Sequence, residues 1–290
     1  WCASASEADR RACLEALWDL FYETRTWNLC VGGSDEHGVP FENALTRDIL
    51  RTARKKRVNT PNLTLRVCAA TSPEVWRLAA EALATGIGIP AIYSDECVCP
   101  ALEDLGIPPR DAHNYCMNGC NQIDIFGKSH MGLEDGEVCL AKCLELTLHR
   151  GRCALTGEML GIDTGDIASF ATYEELFAAY RRQLEAMTDR VVAMANRAQR
   201  LYAEYAPNPL RSLLIRGCVE NGRDYQDGGP LYNPGQILAE GIADTADSLT
   251  ALRRVVYEEK KYTLSDVVRA IDADFTGYEE MLRDLAACPQ

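Results

Sequence analysis

Apolar residues recur at helical spacing between residues 7 and 24, where Leu14, Leu17, Trp18, Phe21 and Tyr22 predict an amphipathic helix. Trp27 to Val31 reads as a short extended run, and Gly32-Gly33-Ser34-Asp35-Glu36-His37-Gly38 as a turn. A second helix is expected from about Glu42 to Lys56, ending before Pro61, and Leu63-Thr64-Leu65-Arg66-Val67 alternates as a buried strand does. Ser72 and Pro73 fit the N-cap and first turn of a helix that runs to about Thr85. Gly86 to Gly88 close it, and Ile89 to Tyr93 follow as a strand. Strand, helix and strand in that order are the signature of a parallel sheet.

Beyond a short helix near Pro108 to Ala112, the stretch Asn114 to Ser129 interrupts the helical pattern and reads as a loop. Helices are then expected over Glu134 to His149, Tyr173 to Tyr205, Leu210 to Glu220, and near 240–260, 263–272 and 277–287. Pro207 and Pro209 terminate the longest of these. The loop holds Cys116 and Cys120, with Gly119 directly before Cys120, where a missing side chain lets backbone approach closely. A sulfur presented in this way can serve as a thiolate nucleophile, a metal ligand, or a thiol that loses a hydrogen atom. The local residues leave all three open.

Composition narrows the setting. A chain of 290 residues, 47% hydrophobic and 25% charged, can bury one large core, so a single domain over 1–290 is expected. A formal charge of -13 argues against nucleic acid or an anionic membrane as partner, and the basic run Arg54-Lys55-Lys56-Arg57 reads as a solvated helix end. No apolar run reaches membrane-spanning length, and no signal peptide is seen. Thirteen irregularly spaced cysteines in so large a chain point to a reducing cytoplasm rather than a stapled secreted domain. The chain starts at Trp1, which suggests a piece of something longer.

Other motifs carry less. Phe126-Gly127-Lys128-Ser129 lacks the earlier glycine of a phosphate loop, since Gln122 stands there, and Asp163-Thr164-Gly165 has no second copy to form an aspartic protease pair. Cys97, Cys99, Cys116, Cys120, Cys139 and Cys143 could be assembled with His113, His130 and His149 into a metal site. None of the cysteine pairs has zinc-knuckle spacing, so no metal is expected.

Several segments, taken together and in order, resemble the glycyl radical enzymes, the group that includes pyruvate formate-lyase and the glycerol and propanediol dehydratases. They are Pro61 to Val67, Gly86 to Glu96, Asn114 to Lys128, Leu140 to Leu148, Asp227 to Asn233 and Gly241 to Leu249. The resemblance implies an α/β fold, a portion of a ten-stranded α/β barrel, with the active cysteine on an interior finger loop. Cys120 stands where that cysteine is kept. By the resemblance it would give its S–H hydrogen to a glycyl radical and then abstract a hydrogen atom from substrate. Asn121 and Gln122 become candidate substrate contacts. Gly217-Cys218-Val219-Glu220 spells the family's active-site tetrad more faithfully, but it falls where the family has a structural helix.

Two departures matter. The dehydratases carry a glutamate base two residues after the cysteine, and Gln122 is there instead; its amide can orient a substrate but cannot usefully accept a proton. Asn121 follows Cys120, where pyruvate formate-lyase has a second cysteine. The Arg-Val-x-Gly segment that bears the radical in the family is not found before Gln290, so the chain is expected to be a middle-to-late portion of a larger enzyme. The expected function is a radical lyase cleaving a C–C or C–heteroatom bond of a small polar metabolite. Its partners would be a radical S-adenosylmethionine activating enzyme and the remaining barrel and glycine-loop segments, and a homodimer is allowed. The alternative is an inactive relative or accessory subunit, motivated by Gln122.

Overall fold

The computed structural model describes residues 5–25, 28–119, 122–130 and 135–288. They fall into two compact units, Trp1–Leu133 with Tyr202–Pro234, and Glu134–Leu201 with Gly235–Gln290.

In the first unit, helix α1 (Glu7–Thr24) precedes strand β1 (Asn28–Gly32), α2 (Ala44–Lys56), β2 (Asn62–Val67), α3 (Pro73–Leu83) and β3 (Ala91–Ser94). The strands form a parallel sheet in the order β1-β2-β3, in register Asn28↔Asn62 and Thr64↔Ala91. The helix limits follow local chemistry. Asn43 accepts from the Leu45 and Thr46 amides in a capping box, and Ser72 caps α3 ahead of Pro73. Such caps are each worth about 1 kcal/mol. One side of the sheet is closed by Trp18, Leu50, Ala53, Val75 and Leu78, packed with Leu63, Leu65 and Ile89. Burying each large side chain contributes roughly 1.5–3 kcal/mol. The basic run lies at the end of α2 and is paired as well as solvated: Lys56 reaches Asp19 at 2.7 Å on α1, and Arg54 pairs with Glu81 on α3.

After α4 (Asp95–Asp104) and α5 (Pro109–Ala112) the chain forms an antiparallel hairpin, β4 (Tyr115–Asn118) with β5 (Gln122–Ile125). The stretch expected as a loop is therefore a hairpin. Tyr115, Met117 and Ile125 enter a core with Cys99, Leu102 and Ile107, and Ile123 packs against it. The helix expected over Leu210 to Glu220 is only two short turns, Pro209–Ser212 and Cys218–Asn221. Gly217 between them has φ 98, and a Cβ there would come within 2.7 Å of the Gly229 carbonyl. That conformation ends a helix.

The second unit corrects a further expectation. Residues Gly136–Cys139 are strand β6, paired in parallel with β7 (Ile237–Glu240), and helix α6 (Leu140–Leu148) starts only afterwards. Cys139 is thus a strand end, and Cys143 lies in the core. That core joins Val138, Leu144 and Leu148 to Leu176 and Tyr180 of α7 (Tyr173–Tyr205) and to Leu249, Leu252 and Val267. The helices expected near 240–260, 263–272 and 277–287 are found as Ile242–Leu252 with a π-helical extension to Glu258, Leu264–Asp272 and Glu279–Ala286. Among the described residues, no helix is long and apolar enough to cross a membrane.

Candidate active site

The first unit is tied together by a buried ion pair. Arg66, 5% exposed at the end of β2, donates its Nε to Asp95 Oδ1 at 3.0 Å and a terminal nitrogen to Oδ2 at 2.9 Å. Its remaining donors reach the carbonyls of Tyr115 and His113, both at 2.9 Å. Asp95 also accepts the Tyr115 hydroxyl at 2.9 Å and the backbone and side chain of Ser34 at 2.7 and 3.0 Å. The guanidinium lies 3.9 Å from the Tyr115 ring centroid. Burial opposes the charge on Arg66, but the Asp95 carboxylate more than offsets it and holds the guanidinium above its ordinary value. Gly33 makes room: with φ 85, a Cβ there would fall 2.6 Å from the guanidinium carbon. The pair fastens β4 against the sheet.

Strand alternation then sorts the hairpin into two faces. Tyr115, Met117, Ile123 and Ile125 form one. Cys116 opposite Asp124, and Asn118 opposite Gln122, form the other. A cleft of about 660 Å³ is lined by this polar face, at Cys116, Asn118 and Asp124, and by Asn28, Cys30 and Phe41. Burial, helped by nearby Asp124, pushes the Cys116 thiol up to about 12. Burial likewise raises Cys30, whose sulfur accepts the Met117 amide, and raises the Asp124 carboxyl. Both thiols of the cleft are therefore held as S–H.

The hairpin's turn is anchored from the sheet. Asn28 and Asn62 both donate their side-chain amides to the carbonyl of Gly119, at 3.0 and 3.3 Å. Cys120 and Asn121, expected as the catalytic thiol and a substrate contact, lie outside the described residues. Gln122, 2% exposed, opens β5 opposite Asn118.

The remaining candidates resolve into local structure. Cys218 is buried in its short turn, and the Glu220 carboxylate accepts the Gly217 amide at 2.9 Å as a cap. Lys128 pairs with Asp111, and the Ser129 hydroxyl with Asp124. Asp163 accepts the Gly165 amide at 3.0 Å within a turn and pairs with Arg150. Among the described residues, ligand atoms of Asp95, Cys99 and His113 lie within 4.8 Å of one another, but both Asp95 oxygens are engaged by Arg66 and its neighbours. Asp124, Cys30 and the Arg66–Asp95 pair were not anticipated as parts of the site. The alternation of Tyr115, Met117, Ile123 and Ile125 about Gly119 was the signal that could have found Asp124.

Residues 15–290 match the family model described as pyruvate formate lyase-like. The chain is 33% identical over 255 residues to trans-4-hydroxy-L-proline dehydratase of Clostridioides difficile, covering 88% of this chain and 32% of that protein. It superimposes with a TM-score of 0.78 on the glycerol-bound B12-independent glycerol dehydratase from Clostridium butyricum, at 27% identity, covering 99% of this chain and 38% of the other. A glycyl radical enzyme from Archaeoglobus fulgidus gives 0.76 at 29% identity, covering 99% and 38%. The chain spans about a third of the length of the curated relatives it matches.

Proposed function

The chain belongs to the pyruvate formate lyase-like family of glycyl radical enzymes, and from that premise we propose that it forms part of a radical lyase or dehydratase acting on a small polar metabolite. Cys120 is the hydrogen-abstracting residue in this reading, carried on the finger loop of a ten-stranded barrel, and Asn121 and Gln122 contact the substrate. A backbone glycyl radical supplies one-electron chemistry to such a site. It is installed by a radical S-adenosylmethionine activating enzyme, and the glycine-loop and remaining barrel segments complete the enclosure. The setting assigned is the cytoplasm.

The observation that carries this reading is the hairpin β4–β5, whose polar face borders a cleft and whose turn is held by Asn28 and Asn62. The cleft suits hydrogen-atom transfer because burial keeps its thiols protonated, and a thiol used in that way needs a retained S–H rather than a lowered pKa. Fixed geometry is the other requirement, since a reacting atom displaced by an ångström forfeits most of the gain from proximity. Gln122 can hold a hydroxyl through its amide without taking its proton.

The test is electron paramagnetic resonance after anaerobic activation of the full-length protein, with turnover measured on trans-4-hydroxy-L-proline and glycerol. We expect a glycyl signal in both wild type and Cys120→Ser, and turnover only in wild type. Turnover retained by Cys120→Ser removes that residue from its role.

A further inference from the structure

Gln122 leaves the polar face of the hairpin without a proton acceptor at its first position. Asp124 stands two residues along the same strand, about 7 Å away on the same face. Among the described residues that line the cleft it is the sole carboxyl. It is 7% exposed, and no described ion pair includes it. One carboxyl oxygen is held by the Ser129 hydroxyl, whose oxygen in turn accepts the Ile125 amide at 3.0 Å. A buried carboxyl in no salt bridge among the described residues, held by the Ser129 hydroxyl and bordering a ligand-sized cleft, is an arrangement for moving a proton.

We propose that Asp124 is the proton-transfer residue of this cleft, acting on a hydroxyl or comparable heteroatom group of the bound metabolite. The inference rests on the radical-lyase reading above and adds to it the group that Gln122 cannot be. As an acid, Asp124 passes its O–H proton to the leaving heteroatom. The carbon–heteroatom bond breaks with its electron pair going to that atom, and the unpaired electron stays on the organic fragment. As a base, the resulting carboxylate takes the proton released by the O–H or N–H group next to the reacting carbon of the same fragment, which restores the acid.

The surroundings shift Asp124 toward its protonated form. Burial raises Asp124 from its ordinary value, against the Ser129 hydrogen bond, the charge of Arg211 and a hydrogen bond from the Ile125 backbone. Across the ladder Cys116 is itself held neutral, and Cys30 beyond it is raised as well, so no thiolate repels the carboxyl. The acid form is present below the raised value and is lost as pH rises through it, and turnover that needs the acid is lost with it.

The experiment uses the full-length, anaerobically activated protein with Asp124→Asn and Asp124→Glu, assayed on trans-4-hydroxy-L-proline and glycerol. The glycyl signal is expected unchanged in both variants. Asp124→Asn should lower kcat by about 100-fold or more. Asp124→Glu should recover part of that loss with a displaced limb in the pH profile, which a structural role would not produce. The wild-type minus Asp124→Asn infrared difference spectrum should contain a protonated carboxyl band at neutral pH. Turnover of Asp124→Asn within about threefold of wild type, on the same pH profile, overturns the proposal, and so does an ionised carboxylate at neutral pH. If no glycyl signal forms, the radical-lyase reading itself fails and the inference goes with it. If the signal forms and neither compound is consumed, the infrared band decides alone, a protonated carboxyl supporting the proposal and an ionised one ending it. Asp124→Asn should fold, because the amide is neutral, matches the carboxyl in size and keeps an oxygen that can accept from Ser129.

Discussion

Asn28 and Asn62 stand opposite each other on adjacent parallel strands and share one acceptor, the carbonyl oxygen of Gly119. Two donors on one oxygen restrain the turn of the hairpin from neighbouring strands at once. Each hydrogen bond contributes about 1 kcal/mol net, and together they fix the Gly119 carbonyl against both strands. We expect Asn28→Ala and Asn62→Ala each to lower stability by about 1 kcal/mol. The double variant should lose turnover more than the product of the singles, because either amide alone still holds the oxygen. Urea unfolding, assays of all three proteins, and amide exchange at residues 118 and 122 check this, and strict additivity in both stability and turnover would count against a shared anchor.

The Arg66–Asp95 pair should respond asymmetrically to substitution. Asp95→Asn leaves a buried guanidinium without its counter-charge, and such losses run to about 3–5 kcal/mol. Arg66→Met together with Asp95→Leu removes both charges and should cost far less than the single change. Unfolding in urea compares the two. Equal losses would mean that packing, and not uncompensated charge, sets the penalty.

In the second unit, His149 links the end of α6 to Asp272. Its Nδ1 lies 2.8 Å from the Glu145 carbonyl and its Nε2 lies 2.8 Å from Asp272 Oδ1. Burial opposes the imidazolium, but these acceptors outweigh it and raise the pKa. Because the folded-state value is raised, the contribution is complete below the unfolded value near ~6.5 and disappears as pH climbs through the folded value. Asp272 is exposed on its outer side, so the effect is a fraction of 1 kcal/mol. We expect the stability difference between wild type and Asp272→Asn to shrink with rising pH across that window, as read by thermal unfolding. A difference constant with pH would assign His149 a neutral ring.

Cys218 and Cys120 should separate cleanly in function. The Cys218 thiol is buried and raised by its surroundings, and Glu220 is occupied as a cap. Glu220→Gln should therefore cost stability, by about 1 kcal/mol or less, and leave turnover of the activated protein intact, while Cys120→Ser abolishes it. Loss of turnover in Glu220→Gln without loss of stability would move the site to the Gly217-Cys218-Val219-Glu220 segment.

The parts of the fold legible from the residues were those fixed by local chemistry. Ser72 before Pro73, the apolar rows of α1 and α2, and the long apolar period of α7 declare themselves within a few neighbours. Strand β6 did not, because its partner β7 is remote in the chain and Val138 fits a helical row as well as an extended one. Leu210, Leu213 and Leu214 have helical spacing yet all are exposed, and the conformation of Gly217 interrupts the run they suggested. At the site, Gln122 was identified from its place after Cys120, whereas Asp124 was passed over because two-residue alternation was read as a loop. Cys30 and Arg66 join the cleft only through strand pairing, which no short motif encodes.

The two-faced hairpin carries an evolutionary consequence. Its polar-face strand positions, 116, 118, 122 and 124, can exchange carboxyl, amide and thiol groups with little disturbance to the hydrocarbon beneath, so new selectivity can arise by point changes alone. Deleting or inserting one residue within β5 would turn isoleucine toward the cleft and a carboxyl into oil. Diversification along this ribbon is therefore expected in side-chain identity and forbidden in length.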